Sequence, residues 1–465
     1  MKKLEHGISS AFMIVIISLL AACKKENSAS VPLSGSNQWI LDSMRVYYYW
    51  NKELPKQPAA NESPTSFFKS LLNPADRFSY IDNPDEVKTE YSSFAWYGFE
   101  YAFVESAALA GQLIGTVTLV VPGGPAEKQG LKRGDIFTAV NEVALSTSTS
   151  NSIKRVLSEG NGVTLQLADL QDKQLIRTSA VKITHQNFSE QPVYTTRIFS
   201  GGQAKIGYIF YNWFSGLNDY NVLDSLNKLK SQGISELVID LRYNPGGDVS
   251  SAAKIAATLT PGKPEQLFAI YQANSNGGHI NKSFNDLIGE NGFQPQDFSE
   301  FTSRRINLKR IFILTSASTA SAAELLVNNL KPFIQVIQIG HTTTGKDMAS
   351  FAIRDFHTPI KINFTLHPLV FKLYNANGQG EYSNGLTPDY IVDEFSVLPL
   401  KPFSDPDDPL LKKALELAGM GLSINQKKVN SAYNALSSKP VYISKRSLPI
   451  IVNESGSRVK ARFHN

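Results

Sequence analysis

The chain has 465 residues, 42% of them hydrophobic and 19% charged, enough apolar material for a large core and two to four domains and too much for a disordered polymer. Its net charge of +5 is unevenly placed: residues 421–465 hold eight Lys/Arg against the single acid Glu454, so the remainder is close to neutral. No nucleic-acid-binding motif is present, and a single cysteine, Cys23, leaves no intramolecular disulfide.

Lys2 and Lys3 precede an apolar run over residues 8–22, shorter than the roughly 20 residues that cross a bilayer as a helix. The run ends in Leu20-Ala21-Ala22-Cys23, which resembles the lipobox of bacterial lipoproteins. That resemblance implies a signal peptide over 1–22, lipid attachment at Cys23 and a membrane partner through that lipid. Lys24-Lys25-Glu26-Asn27 carries no aspartate, which by analogy with lipoprotein sorting implies the outer membrane of the cell envelope, with the face left open. Residues 23–36 are small and polar and form a tether. Over 37–75, Trp39, Ile40, Met44, Tyr47, Tyr48 and Leu54 recur at helical spacing and Phe67, Phe68, Leu71 and Leu72 follow Pro64, so a small helical domain is expected, with the aromatics at 47–50 packed in its core. Residues 77–82 read as a strand leaving it, within a stretch, 76–89, that is assigned with residues 190–420 to one α/β core.

Residues 90–186 form a different module. Its diagnostic run is Val121-Pro122-Gly123-Gly124-Pro125-Ala126-Glu127-Lys128-Gln129-Gly130-Leu131-Lys132-Arg133-Gly134-Asp135-Ile136: a turn, a short helix opened by Pro125, a glycine stop, a second turn and a strand. The run resembles the PDZ domain. The resemblance implies capture of a polypeptide C-terminus by strand addition beside a loop of backbone amides, placed here at Tyr97, Gly98 and Phe99.

From 190 to 420 strands alternate with helices, which implies a layered α/β core. A strand over 205–211, a helix over 218–232 and the apolar strand Glu-Leu-Val-Ile-Asp-Leu at 236–241 lead to Arg242-Tyr243-Asn244-Pro245-Gly246-Gly247-Asp248 and a helix over 249–259. Residues 262–305 read as an insertion rich in Asn, Gly and Ser, after which a buried strand from Arg310 leads to Thr319-Ala320-Ser321-Ala322-Ala323-Glu324 and a further helix. Residues 421–465 form a basic tail, read as a solvated tail with a few strands or a contact for anionic lipid or polymer.

Two glycine- or serine-bearing turns after buried strands are what acyl transfer requires. The first supplies unobstructed backbone amides for an oxyanion, from Gly246, and the second presents Ser321 with the Ala322 amide behind it at a helix N-terminus. Lys346 lies one helix and one strand further on, where an α/β unit can return it beside Ser321 as the base that a serine hydroxyl needs. Ser-x-x-Glu before an apolar helix is also the pattern of a capping box, with Ser321 and Glu324 merely satisfying helix-end amides. His341, Asp355 and His357 keep a Ser/His/Asp triad open, and no HExxH or Cys/His cluster calls for a metal.

The order of lipobox, helical domain, PDZ-like module, Asn-Pro-Gly-Gly, Thr-Ala-Ser-Ala-Ala-Glu and Thr-Thr-Gly-Lys is similar to that of the S41 family of C-terminal processing peptidases. Gly385-Leu386-Thr387-Pro388-Asp389-Tyr390 and Asp407-Asp408-Pro409-Leu410 resemble its closing segments. The resemblance implies a ClpP/crotonase-like α/β core with an inserted PDZ-like domain, and a Ser321/Lys346 dyad that cuts polypeptides near a C-terminus without cofactor. Three positions depart from the family's pattern: Ala323 where a second serine is common, Pro332 where some members have aspartate, and Ser350 where a glutamine usually orients the lysine. The expectation is a serine endopeptidase of the cell envelope with a polypeptide substrate; the alternative is a catalytically silent lipoprotein of the same fold that binds protein C-termini or a small ligand. Oligomeric state is not legible.

Overall fold

The structure is a computed structural model that describes residues 33–85, 92–106, 112–172, 174–201, 204–291, 298–420 and 438–446. The expected signal peptide, Cys23, most of the tether and the tail stretches 421–437 and 447–465 lie outside the described residues.

Two capped helices come first. Ser34 accepts from the Asn37 N–H at 3.1 Å and opens α1 (Gly35–Tyr47), which buries Ile40, Leu41, Met44 and Tyr47. Ser63 opens α2 (Pro64–Ser70), with proline in its first turn and Phe67 and Phe68 buried. Both faces belong to the hydrophobic cluster of the α/β core, so these helices share that core. The strand expected over 77–82 shrinks to β1 (Tyr80–Asp82). Asp76 Oδ1 takes the Phe78 and Ser79 N–H groups at 3.0 and 2.9 Å, and this turn removes them from any ladder.

The PDZ-like module comes next in the chain as α3 (Ser93–Tyr97), β2 (Phe99–Ser106), β3 (Leu113–Val120), α4 (Pro125–Lys128), β4 (Ile136–Val140), β5 (Val143–Ala144), α5 (Ser150–Ser158), β6 (Val163–Gln171) and β7 (Gln174–Ile183). Its antiparallel sheet runs β2-β3-β4-β6-β7, with β5 on β4. Phe99, Tyr101, Phe103 and Phe137 from the sheet pack with Ile153 and Leu157 of α5.

The core is built from β8 (Val193–Gly201), β9 (Ala204–Tyr211), α6 (Asp219–Ser231), β10 (Glu236–Asp240), α7 (Val249–Leu259), β11 (Leu267–Gln272), β12 (His279–Ser283), α8 (Phe284–Ile288), α9 (Phe298–Ser303), β13 (Arg310–Thr315), α10 (Ala322–Leu330), β14 (Gln335–Gly340), β15 (Met348–Ser350), β16 (Thr365–His367), β17 (Leu369–Asn375), β18 (Tyr390–Ile391) and α11 (Pro409–Leu417). The main sheet runs β18-β14-β13-β10-β9-β8, parallel except for the edge strand β8. Alternate residues of its strands enter two different clusters: Ile239 and Ile313 face α7 and α10, whereas Val238 and Leu314 face α11. A second sheet, β12-β11-β17-β15, covers α7 and α10. The stretch read as an insertion supplies β11 and β12 to it, with α8 and α9 alongside: Tyr271 meets Phe371 of β17, and Phe268 and Phe284 pack on each other and on Phe333, just after α10.

A last strand, β19 (Ser438–Ile443), pairs antiparallel with β2. Part of the basic tail therefore has a structured place on the PDZ-like sheet.

The module is docked by buried charge. Arg242, fully buried, donates to Asp240 and Asp408 at 2.8 Å each, while Arg133 of the module reaches Glu394, which also accepts from Tyr243 Oη at 2.6 Å. Each charge is tolerated because its partners are equally dry and hydrogen-bonded. Replacing Arg242 with Leu strands Asp240 and Asp408, and urea denaturation should show a loss of about 3–5 kcal/mol.

Candidate active site

β10 and β13 are neighbours in a parallel sheet, so the turns at their C-terminal ends lie side by side. They are stapled together: Ala320 N–H donates to Asn244 O at 3.0 Å and Thr319 Oγ1 to Leu241 O at 2.8 Å. In the first turn Asn244 Nδ2 donates to Tyr211 O at 2.9 Å and its Oδ1 accepts the Gly246 N–H at 2.8 Å. Gly246 has φ +102°, and a Cβ there would lie 2.4 Å from both Cβ and Oγ of Ser321. The glycine is required because its backbone rests on the serine side chain.

Ser321 stands just before α10 with φ 69° and ψ −124°, a strained conformation for a residue bearing a side chain, costing about 1–3 kcal/mol. Its N–H donates to Glu324 Oε2 at 2.8 Å, so the glutamate performs its half of the capping arrangement. The serine's half is looser: its side chain lies towards the Glu324 N–H as in a capping box, but Oγ is buried and makes no hydrogen bond. Ser321 is 1% exposed.

The glutamate goes on to hold the lysine loop. Oε2 also accepts the Lys346 N–H at 2.8 Å, and Oε1 accepts the Gly345 N–H at 2.7 Å and the Thr343 hydroxyl. A single carboxylate oxygen thus ties the backbone of Ser321 to that of Lys346. Burial pushes the Glu324 carboxyl up, while these four donors act against the rise. Arg77 braces the loop from outside, donating to Gly345 O at 2.9 Å and Ser383 O at 2.7 Å, and the Phe78 ring centroid lies 5.3 Å from Lys346 Nζ. Lys346 is 8% exposed; burial lowers its ammonium to about 8 against a partial upward pull from Glu324 and Asp76.

The remaining expected residues have mixed fates. Ala322 is the first residue of α10, where helix N–H groups lack intrahelical acceptors. Ser350 is buried at the end of β15, opposite Leu369 of β17. Tyr97 and Phe99 are core residues, and Gly98, at φ +72°, gives its N–H to Phe94 O as the C-cap of α3. The Gly98 amide is therefore spent within the fold, and further along β2 Tyr101 and Phe103 lie against Tyr442 of β19. Tyr101 and Phe103 were signalled only by the alternation of aromatics at 99, 101 and 103, the period of a strand with one apolar face. His341 faces Asp393, and His357, largely exposed, pairs with Asp355; neither is hydrogen-bonded to Ser321 Oγ. A cleft of about 1230 Å³ runs from Lys346, Arg77 and Phe78 to Lys154 of α5 and Tyr442 of β19.

Comparison with known proteins assigns the pieces in this order. The peptidase S41 N-terminal domain model matches residues 35–80, a PDZ domain model 116–168 and the peptidase family S41 model 205–392, the last spanning both turns and the lysine loop. Residues 205–392 thus match peptidase family S41, with its N-terminal domain and a PDZ domain preceding them in the same order. A carboxyl-terminal-processing protease of Picosynechococcus is 29% identical over 233 residues, covering 50% of this chain and 50% of that protein. One from Synechocystis is 25% identical over 324 residues, covering 68% of each. The chain spans about half the length of the first of these relatives. A solved Bacteroides fragilis structure assigned to the S41 proteases superposes with a TM-score of 0.67 at 25% identity, over 82% of this chain and 97% of that one. The S41 core, PDZ domain and helical N-terminal domain are thus the architecture of this protein.

Glu324→Gln removes the charge that raises the Lys346 ammonium while keeping the side chain's size. The Lys346 midpoint should fall further below its value of about 8, read by NMR of isotopically methylated lysines across pH. The sign for stability comes from the same burial. Below about 8 both folded and unfolded chains carry the Lys346 proton and the folded state bears the burial penalty; between about 8 and about 10.4 only the unfolded chain holds it, so this contribution to stability rises with pH.

Proposed function

We propose that this protein is a serine endopeptidase that cuts polypeptides near their C-terminus, with Ser321 as nucleophile and Lys346 as base. The observation that carries the reading is Ser321 itself: a strained residue with an unspent hydroxyl, tied through one glutamate oxygen to a lysine whose burial brings it to about 8. A hydroxyl that capped its helix would be spent; this one is reserved.

Neutral Lys346 takes the proton as Ser321 Oγ attacks the scissile carbonyl carbon. The carbonyl oxygen becomes an oxyanion against the Ala322 N–H, at the positive end of α10, and the Gly246 turn. Gly246 acts as a donor when its N–H exchanges Asn244 Oδ1 for the substrate oxygen. The Lys346 ammonium then gives its proton to the departing amine; water, deprotonated by the same lysine, attacks the acyl carbon, and the lysine returns that proton to the departing Ser321 Oγ. Ser321 Oγ makes no hydrogen bond to Lys346 in this state, so substrate entry must bring the two together. Glu324 is a positioning residue, and Ser350 stands where the family's lysine-orienting glutamine is usual. The lipobox-like ending at Cys23 supports attachment to the cell envelope, on the outer membrane by the residues just after it. Radiolabelled fatty acid should enter the wild-type chain and not Cys23→Ala.

Incubation with unstructured polypeptides tests the dyad. Ser321→Ala and Lys346→Ala should each lower cleavage on the order of 10³-fold or more. Equal cleavage by all three proteins would sink the dyad, and no cleavage by any would leave a lipoprotein that binds protein tails. The wild-type kcat/KM should rise with pH around a midpoint near 8 and level off above it, since only the neutral lysine is a base. Gly246→Ala should abolish cleavage, its Cβ displacing Ser321.

A further inference from the structure

β2 would be the open edge of the PDZ sheet, and β19 closes it with the chain's own tail. The pairing has the marks of a bound peptide. Residues 438–443 run antiparallel to β2, from Ser438 opposite Ser106 to Ile443 opposite Ala102. Ser444 continues the ladder in both directions, its N–H donating to Tyr101 O and its Oγ accepting from the Tyr101 N–H, each at 2.8 Å. Tyr442 lies 5.8 and 5.7 Å, centroid to centroid, from Tyr101 and Phe103 on β2, and Lys154 Nζ of α5 sits 4.6 Å over its ring. The tyrosine thereby fills the space between β2 and α5, a place for one large aromatic with a cation above it.

The direction of the strand leads to the catalytic turns. Beyond Ser444, the Lys445 ammonium donates to Ala317 O at 2.9 Å, four residues before Ser321. The Arg446 guanidinium pairs with Glu190 and lies 5.3 Å from the ring of Trp213, whose Nε1 borders Gly247. Residues 438–446 therefore run from the PDZ groove to both walls of the site while Ser321 is buried.

We propose that residues 438–446 are a tethered occupant of the substrate's strand site. A substrate takes the same place as an added strand on β2, with an aromatic side chain where Tyr442 sits and its C-terminal end directed toward Ser321, and it must first displace the tail. Docking rests on the strand pairing alone, whereas cleavage of the docked chain rests on the peptidase reading. A segment of the same chain competes as an intramolecular ligand, so it masks the groove from dilute peptide while a well-matched substrate can still replace it.

The test uses the full chain and a fluorescein-labelled synthetic peptide with the sequence of residues 438–446, followed by anisotropy. Tyr442→Asp weakens the tail's grip, so that chain should bind the probe at least about tenfold more tightly than wild type, whereas Tyr442→Phe keeps the ring and should stay masked. A probe carrying Asp in place of its tyrosine should not bind the unmasked chain. Equal probe affinity in wild type and Tyr442→Asp, absence of binding in both, or equal binding of the two probes would each overturn the proposal. Adding Ser321→Ala to Tyr442→Asp should leave probe binding unchanged, which separates docking from chemistry. Unmasked binding without any cleavage of unstructured polypeptide would overturn the peptidase reading and leave the occupied groove standing.

Discussion

The Glu324 carboxylate is the constraint on which the site depends. Its two oxygens accept from Ser321, Thr343, Gly345 and Lys346, joining the start of α10 to a loop beyond the end of β14. A buried carboxylate without donors would be costly to charge; with four it is a rigid fixture that sets where serine and lysine backbones stand. The positive φ of Ser321 stands at one end of the same bond.

Around that fixture the fold supplies two kinds of closeness. Parallel pairing of β10 with β13 sets the Asn-Pro-Gly-Gly turn against Ser321, and the missing side chain of Gly246 lets backbone lie on the serine side chain. Burial supplies the second. Lys346 is brought to about 8 because its ammonium is poorly hydrated, with the aromatic ring of Phe78 beside it and Arg77 closing the loop from the helical domain's exit. That domain shares the core cluster, so the environment of Lys346 is built partly by residues far away in sequence.

Much of the candidate site's local geometry was legible because short motifs impose it. Ser321, Glu324, Gly246 and Lys346 stand in turns whose backbone preferences come from small residues between buried strands. The capping pattern was legible too, but its two halves were not separable: Glu324 makes its capping hydrogen bond and Ser321 Oγ makes none, and only the packed turn decides the difference. The Gly98 loop shows the opposite outcome, since one glycine after a strand-like aromatic stretch proved to be a helix cap. Residues 262–305 looked like a loop because Asn, Gly and Ser dominate their composition, yet the few apolar positions suffice once β17 and α10 provide surfaces to meet.

The sequence by itself determined the order of domains and the parallel α/β character of the core, because periodicity and turn residues act over a few positions, and it singled out Ser321, Gly246 and Lys346 as candidates. The tertiary structure alone decided that Glu324 joins serine to lysine, that Arg133 and Arg242 share one buried acidic cluster between PDZ domain and core, and that a strand from the tail closes β2. Those contacts link positions 20 to more than 300 residues apart, and a local pattern carries no information about which distant partner will satisfy a buried charge or an open strand edge.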